Sequence, residues 1–250
     1  MTPHHIPTES ARHQRWVKIS HWIITVSFLL LGFTGFVILM AHPRLYWGEV
    51  GNDLTPALFE LPISRNYQHG GWEDRTAFFN ERDSPISANR TYDIFNKNGW
   101  GRSLHFLSAW VFVVTGLIYL LAGIFTGHFR NRIWPKRNEL TVRLFWRELI
   151  NHLRMQIPFG VNARYNLLQK YAYMVVIFVL LPLIVLTGMT MSPAIAAAYP
   201  FLLKVFGGSQ SARTIHFFSS VVVELFLIVH VVMVIKSGFR QQMQAMTFGK

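Results

Sequence analysis

His216 and His230 stand fourteen residues apart in the last long apolar stretch of the chain. On a helix that is close to four turns, so both rings leave nearly the same face, roughly 21 Å apart along the axis. Two earlier apolar stretches carry one histidine each near their starts, His21 and His105. A neutral imidazole is a good axial ligand for haem iron, and its second nitrogen can donate to a carbonyl to fix the tautomer. Two histidines on one membrane helix, met by one from each of two neighbours, have the spacing needed to stack two haems. With both axial positions filled, such haems carry electrons and leave no position open for oxygen chemistry.

The elements that must place these rings are legible from charge. No Asp, Glu, Lys or Arg occurs between Lys18 and Arg44, between Arg102 and Arg130, or between Lys170 and Lys204. From Thr214 to Ile235 the only charge is Glu224. Each run supplies the ~20 residues that cross a bilayer. The expectation is an all-α membrane protein, a four-helix transmembrane bundle with spans near 16–40, 103–127, 170–192 and 213–236, forming a single domain over 1–250. The first span is too long for a signal-peptide core and has no small-residue cleavage site after it, so it is expected to remain as a helix. Pro182 is expected to kink the third span.

The net charge of +12 is unevenly spread. Eight of the twelve acids lie between spans one and two, whereas the connection between spans two and three holds nine bases and two acids. The positive-inside rule puts that basic connection and both termini in the cytoplasm of a bacterial inner membrane. The charge is topological, with membrane lipid as its partner and no nucleic acid implied. Segment 41–102 is then an extracytoplasmic loop, too long for a plain connection, and reads as a lid or a docking surface. Segment 139–155 places Val142, Phe145, Trp146, Leu149, Ile150 and Leu153 at helical spacing, an interfacial helix lying among headgroups.

Direction along the chain then pairs the histidines by depth. Span one runs outward and spans two and four run inward, so His105 meets His216 near the outside and His21 meets His230 near the cytoplasm. Arg102-Ser-Leu-His105-Phe106 and Arg213-Thr-Ile-His216-Phe217 repeat one pattern, with Lys18-Ile-Ser-His21-Trp22 as a variant. A base three residues before each histidine lies one turn nearer water, where it can meet a haem propionate; Lys18, Arg102 and Arg213 can equally be snorkelling flanks. Thr34-Gly35, Thr115-Gly116 and Thr187-Gly188 offer close approach either to a flat macrocycle or to a neighbouring helix. Glu224 can relay protons or bond a neighbouring helix when protonated. The remaining histidines, His128 among them, fall in tails or connections and read as solvated, with His42 and His69 placed to come near the outer site. The chain has no cysteine, so haem must be held non-covalently and any iron–sulfur cluster must belong to a partner.

These histidines, their spacing and the four spans resemble the prokaryotic di-haem cytochrome b subunits. Those are the membrane subunits of respiratory formate dehydrogenase, nickel–iron hydrogenase and thiosulfate-reductase-type complexes, related to bacterial cytochrome b561. The resemblance covers all four spans and is weakest in 41–102. It implies two haem b groups and an extracytoplasmic catalytic partner, molybdoenzyme- or hydrogenase-like and with an iron–sulfur subunit. It also implies exchange with quinone at the inner haem. Arg164-Tyr165-Asn166-Leu167-Leu168-Gln169-Lys170 looks like the family's Y-N-x-x-Q-K stretch, which implies that Asn166 and Gln169 bind quinone; helix capping is the competing role. The alternative to a partnered subunit is a self-sufficient cytochrome b561-type quinone-linked oxidoreductase acting on a small outside redox molecule. A haem-free transporter or assembly subunit is the rival from another class.

Overall fold

The computed structural model describes residues 14–52, 55–63, 98–135, 141–153 and 167–247. Its long helices follow the uncharged runs. Helix α1 spans Arg15–Ala41 and α2 spans Asn98–Phe125. The third span is built from α4 (Leu167–Val175), a π-helical turn (Val176–Leu180) and α5 (Leu181–Thr190). Between them, α3 runs from Val142 to Leu153, where an interfacial helix is expected. Two short helices, α6 (Pro193–Ala198) and α7 (Phe201–Phe206), lead to α8 (Ser209–Lys236), and α9 (Phe239–Met246) follows. Among the described residues, four helices are long and apolar enough to cross a membrane, Arg15–Ala41, Gly99–Phe125, Leu167–Thr190 and Ser209–Lys236. The second begins four residues earlier than its charge pattern suggests, because Arg102 lies inside the helix rather than ahead of it.

Pro182 stands just past the π-helical turn. Having no N–H, it cannot bond the carbonyl four residues back, and the backbone relaxes into the π-turn just before it. The proline itself takes a position in the first turn of α5, where the missing donor costs nothing.

The burial pattern is inverted relative to a soluble bundle. Ile124, Phe125, Leu107 and Trp110 are more than half exposed, while Thr34, Thr187 and Ser211 have no exposure at all. Lipid solvates large apolar side chains as well as a protein core does, so small hydroxyl residues are kept for the contacts between helices.

The chain divides into two compact units. One comprises Ile23–Val114 and Leu180–Glu224. There α1 and α2 approach closely, with the Cα of Gly101 against the Val37 side chain. After α1, Arg44–Leu45 (β1) pairs antiparallel with Phe59–Glu60 (β2), in register Arg44↔Glu60 and Leu45↔Phe59. Tyr46 and Gly48, just after β1, lie against the start of α8. Gly48 N–H donates to Ser211 Oγ (2.7 Å), Thr214 Oγ1 donates to the Tyr46 carbonyl (2.6 Å), and the Gln210 and Ser211 amides donate to the Gly48 carbonyl. These bonds satisfy amides of the first turn of α8 that have no partner within the helix. Gly208 permits the approach: its φ of +111° disfavours any side chain, and a Cβ there would run into the Gly48 carbonyl.

The other unit comprises Met1–Trp22, Thr115–Val179 and Leu225–Lys250. Its described core is aromatic. Phe129, in a π-turn over Phe129–Ile133, lies against the bare Cα of Gly123 and meets Phe178 at 5.2 Å between ring centres. The Trp22 indole donates to the Met246 carbonyl at 3.0 Å and ties α9 to α1.

Candidate haem sites

In the first unit, α2 delivers His105 and α8 delivers His216, and their ring centres stand 6.4 Å apart with planes at 63°. In the second unit, α1 delivers His21 and α8 delivers His230, with centres 6.5 Å apart and planes at 52°. These are the two pairs that charge topology picks by depth.

The separations carry chemical information. Two imidazoles on opposite sides of one metal atom, each at a metal–nitrogen distance of about 2 Å, have ring centres about 6.3 Å apart once each ring's own radius of about 1.15 Å is added. Both observed values match. Among the described residues, no group of three or more His, Cys, Asp or Glu could hold a bare metal ion. Each pair therefore suits a metal that brings its remaining ligands with it, as haem iron does in its macrocycle.

The surroundings of the first pair fix which nitrogen is free. Thr34 Oγ1 donates to the Leu30 carbonyl at 2.6 Å and lies 3.0 Å from His105 Nδ1. Thr187 Oγ1 donates to the Leu183 carbonyl at 2.7 Å and lies 3.2 Å from His216 Nδ1. His216 Nδ1 also meets the Ile184 carbonyl at 3.0 Å, and the Leu31 backbone bonds the His105 ring. A carbonyl only accepts, and each threonine's single proton is already engaged, so Nδ1 must be the protonated nitrogen in both rings. Nε2 keeps its lone pair in both, the form a metal needs. Gly35 and Gly188 lie behind the same ring edges: a Cβ on Gly188 would stand 3.3 Å from His216 Cε1, and one on Gly35 would stand 3.6 Å from His105 Cε1. The Thr-Gly steps thus serve the histidine rings, a role that composition alone did not separate from macrocycle contact or helix packing. A Cβ on Gly116, of the third such step, would meet nothing within 4 Å among the described residues.

The second pair is held differently. The His230 ring stacks on Phe226 at 6.1 Å and 23°, and makes no hydrogen bond among the described residues. Trp22 meets His21 edge-on at 5.4 Å.

Of the basic residues, Arg213 lies within electrostatic reach of Arg102 in the first unit, a like-charged couple that two carboxylates would stabilise. Lys18 is in α1, one turn before His21. Gln169 is half-buried in the first turn of α4, in the same unit as His21 and His230, whereas Asn166 is outside the described residues. Glu224 turns toward α1, its Oε1 3.0 Å from where a Cβ would stand on Gly32. His42 is exposed and His69 is outside the described residues. His128, which reads as solvated from its place in a connection, is half-buried. It packs against Trp16 and Tyr119, with ring centres 5.4 and 6.3 Å away. The aromatic neighbours in Trp16, Tyr119 and His128-Phe129 were the available signal.

The prokaryotic cytochrome b561 family profile matches residues 12–249, nearly the whole chain. The chain belongs to that family. It is therefore a membrane haem protein of electron transport, with haem b as its cofactor, as the ligand spacing and the lack of cysteine anticipate. This cytochrome b561-family chain is also 28% identical over 224 residues to a protein of Azospira oryzae named "Putative protein-methionine-sulfoxide reductase subunit YedZ1", covering 90% of each chain. No solved structure matches it.

Proposed function

We propose that this chain is a membrane-anchoring di-haem cytochrome b subunit, one domain over residues 1–250, that transfers electrons between an extracytoplasmic redox partner and the membrane quinone pool. The observation that carries the reading is the presence of two histidine pairs, each with ring centres at the separation that one metal atom between them would need. His105 and His216 hold one haem b, and His21 and His230 hold the other. Bound haem supplies a one-electron ferric–ferrous couple. The chain supplies everything else. Its four imidazoles would hold the two haem irons, its Thr-Gly steps fix the rings of one pair, and its apolar helices would keep water away. Arg102 and Arg213 receive the propionates of the first haem, and Lys18 receives a propionate of the second. Asn166 and Gln169 bind the quinone carbonyls.

The basic connection between spans two and three places both termini in the cytoplasm of a bacterial inner membrane. The His21–His230 pair then lies on the quinone side, and the His105–His216 pair faces the partner. The name of the similar Azospira protein supports a reductase as that partner, so electrons leave the quinone pool and are delivered outward. A catalytic subunit that needs iron–sulfur clusters must carry them itself, since this chain has no thiolate to offer.

The test is haem stoichiometry and quinol reactivity of the purified protein. Two b-type haems per chain are expected, falling to one in His216→Ala and to one in His230→Ala. A short-chain quinol should reduce the haem of the His216→Ala variant, and far less readily that of His230→Ala. Haem content unchanged at two in both variants refutes the reading.

A further inference from the structure

His105 and His216 share a support that no resemblance supplied. His105 Nδ1–H points to the Thr34 hydroxyl oxygen, and His216 Nδ1–H is divided between the Thr187 hydroxyl oxygen and the Ile184 carbonyl, a three-centre arrangement. The threonine cannot give a proton back, because its own goes to a carbonyl four residues earlier at 2.6 or 2.7 Å. Both threonines are fully buried. Back-bonding of this kind is ordinary for threonine in membrane helices; a lone pair aimed at a histidine ring is not, and here it occurs twice, on two different helices.

We infer that Thr34 and Thr187 are positioning residues that set the electron affinity of the cofactor held by His105 and His216. The inference rests on the reading of those histidines as haem ligands. An imidazole whose Nδ1–H donates to strong acceptors is more electron-rich at Nε2 and is a better donor to ferric than to ferrous iron. The proton stays on Nδ1 throughout, and a single electron distinguishes the two iron states. Both ligands of this pair carry the device, so their effects add. His230 carries no such bond among the described residues and rests on an aromatic face instead.

The experiment uses the full chain in detergent with both haems bound. Valine keeps the shape of threonine and removes the hydroxyl, while serine keeps the hydroxyl. The readouts are haem per chain, ferric low-spin electron paramagnetic resonance and both midpoint potentials by spectroelectrochemistry. Thr187→Val is expected to raise one midpoint by the equivalent of about a tenfold change in ferric-over-ferrous preference, about 59 mV for one electron. The other midpoint stays fixed, Thr34→Val moves the same haem, and the double variant moves it further. Thr187→Ser and Thr34→Ser should restore the native potential and resonance signature. Loss of that haem in the valine variant with retention in the serine variant supports the same role through affinity. Loss in both overturns it in favour of packing, as do full haem content and unmoved midpoints in both valine variants. His216→Ala with both haems retained refutes instead the ligand assignment beneath it.

Discussion

Gly35 and Gly188 make a matched pair of perturbations whose outcomes should differ. Replacing Gly188 by alanine puts a methyl 3.3 Å from His216 Cε1 and 3.6 Å from its Nδ1. Carbon atoms rest at about 3.5–4.0 Å, so the ring must yield by a few tenths of an ångström. It has little freedom to do so, because Nδ1 is tethered at 3.0 Å to the Ile184 carbonyl and at 3.2 Å to Thr187. Metal–ligand distances tolerate about 0.2 Å, which makes the displacement comparable to the whole allowance. A loss of about tenfold in haem affinity follows, close to 1.4 kcal/mol. At Gly35 the same methyl stands 3.6 Å from His105 Cε1 and 4.0 Å from its Nδ1, an ordinary contact that moves nothing. The assay is retained haem per chain during serial dilution in detergent, followed by the reduced-minus-oxidised spectrum. Gly188→Ala should shed one haem well before wild type, and Gly35→Ala should track wild type. Equal behaviour of the two variants, or greater loss from Gly35→Ala, would falsify the claim that ring-edge clearance governs the site.

Other perturbations follow from the same geometry. Thr214→Val removes a 2.6 Å bond and leaves the Tyr46 carbonyl buried against α8, so thermal unfolding in detergent should show a loss of about 1–3 kcal/mol. Gly208→Ala combines a positive φ with a collision at the Gly48 carbonyl and should cost at least as much, about 1–3 kcal/mol in the same measurement. Arg213→Gln and Arg102→Gln should each weaken haem retention at the His105–His216 pair. Neither should change the haem that survives in His216→Ala, which a double-variant spectrum checks.

Much of this was readable without coordinates, for identifiable physical reasons. The spans follow from the cost of charge in lipid, which leaves uncharged runs wherever the chain crosses. The depth-matched pairs follow because four antiparallel crossings allow only one pairing once the basic side is known. Helix rotation about its own axis leaves no such trace. Thr34-Gly35 and Thr187-Gly188 were visible as a recurring step, but only coordinates show them meeting His105 and His216, whereas a Cβ on Gly116 would meet none of the described residues. The link between β1 and β2 was equally hidden, because its bonds to Ser211 and Thr214 span more than 160 residues. His128 misled through its neighbourhood in sequence: a histidine just past a span reads as wet, yet Gly127 turns the chain in the left-handed region, with φ at +65°, and brings it back onto Trp16 and Tyr119.

The site formed by His105 and His216 is one half-site made twice. A Thr-Gly step on α1 backs the histidine of an Arg-x-x-His-Phe run on α2, and a Thr-Gly step on α5 backs the histidine of the same run on α8. A flat ligand between them meets the same ring, hydroxyl-backed in the same way, on its upper and lower faces. Haem b is not symmetric about the line through its propionates, since its vinyl and methyl groups differ on the two sides. A pocket with matching faces gives it little basis for choosing one insertion over the same macrocycle turned upside down. Newly loaded protein should hold both orientations, seen as doubled haem-methyl resonances, with the choice left to the residues at the macrocycle's rim.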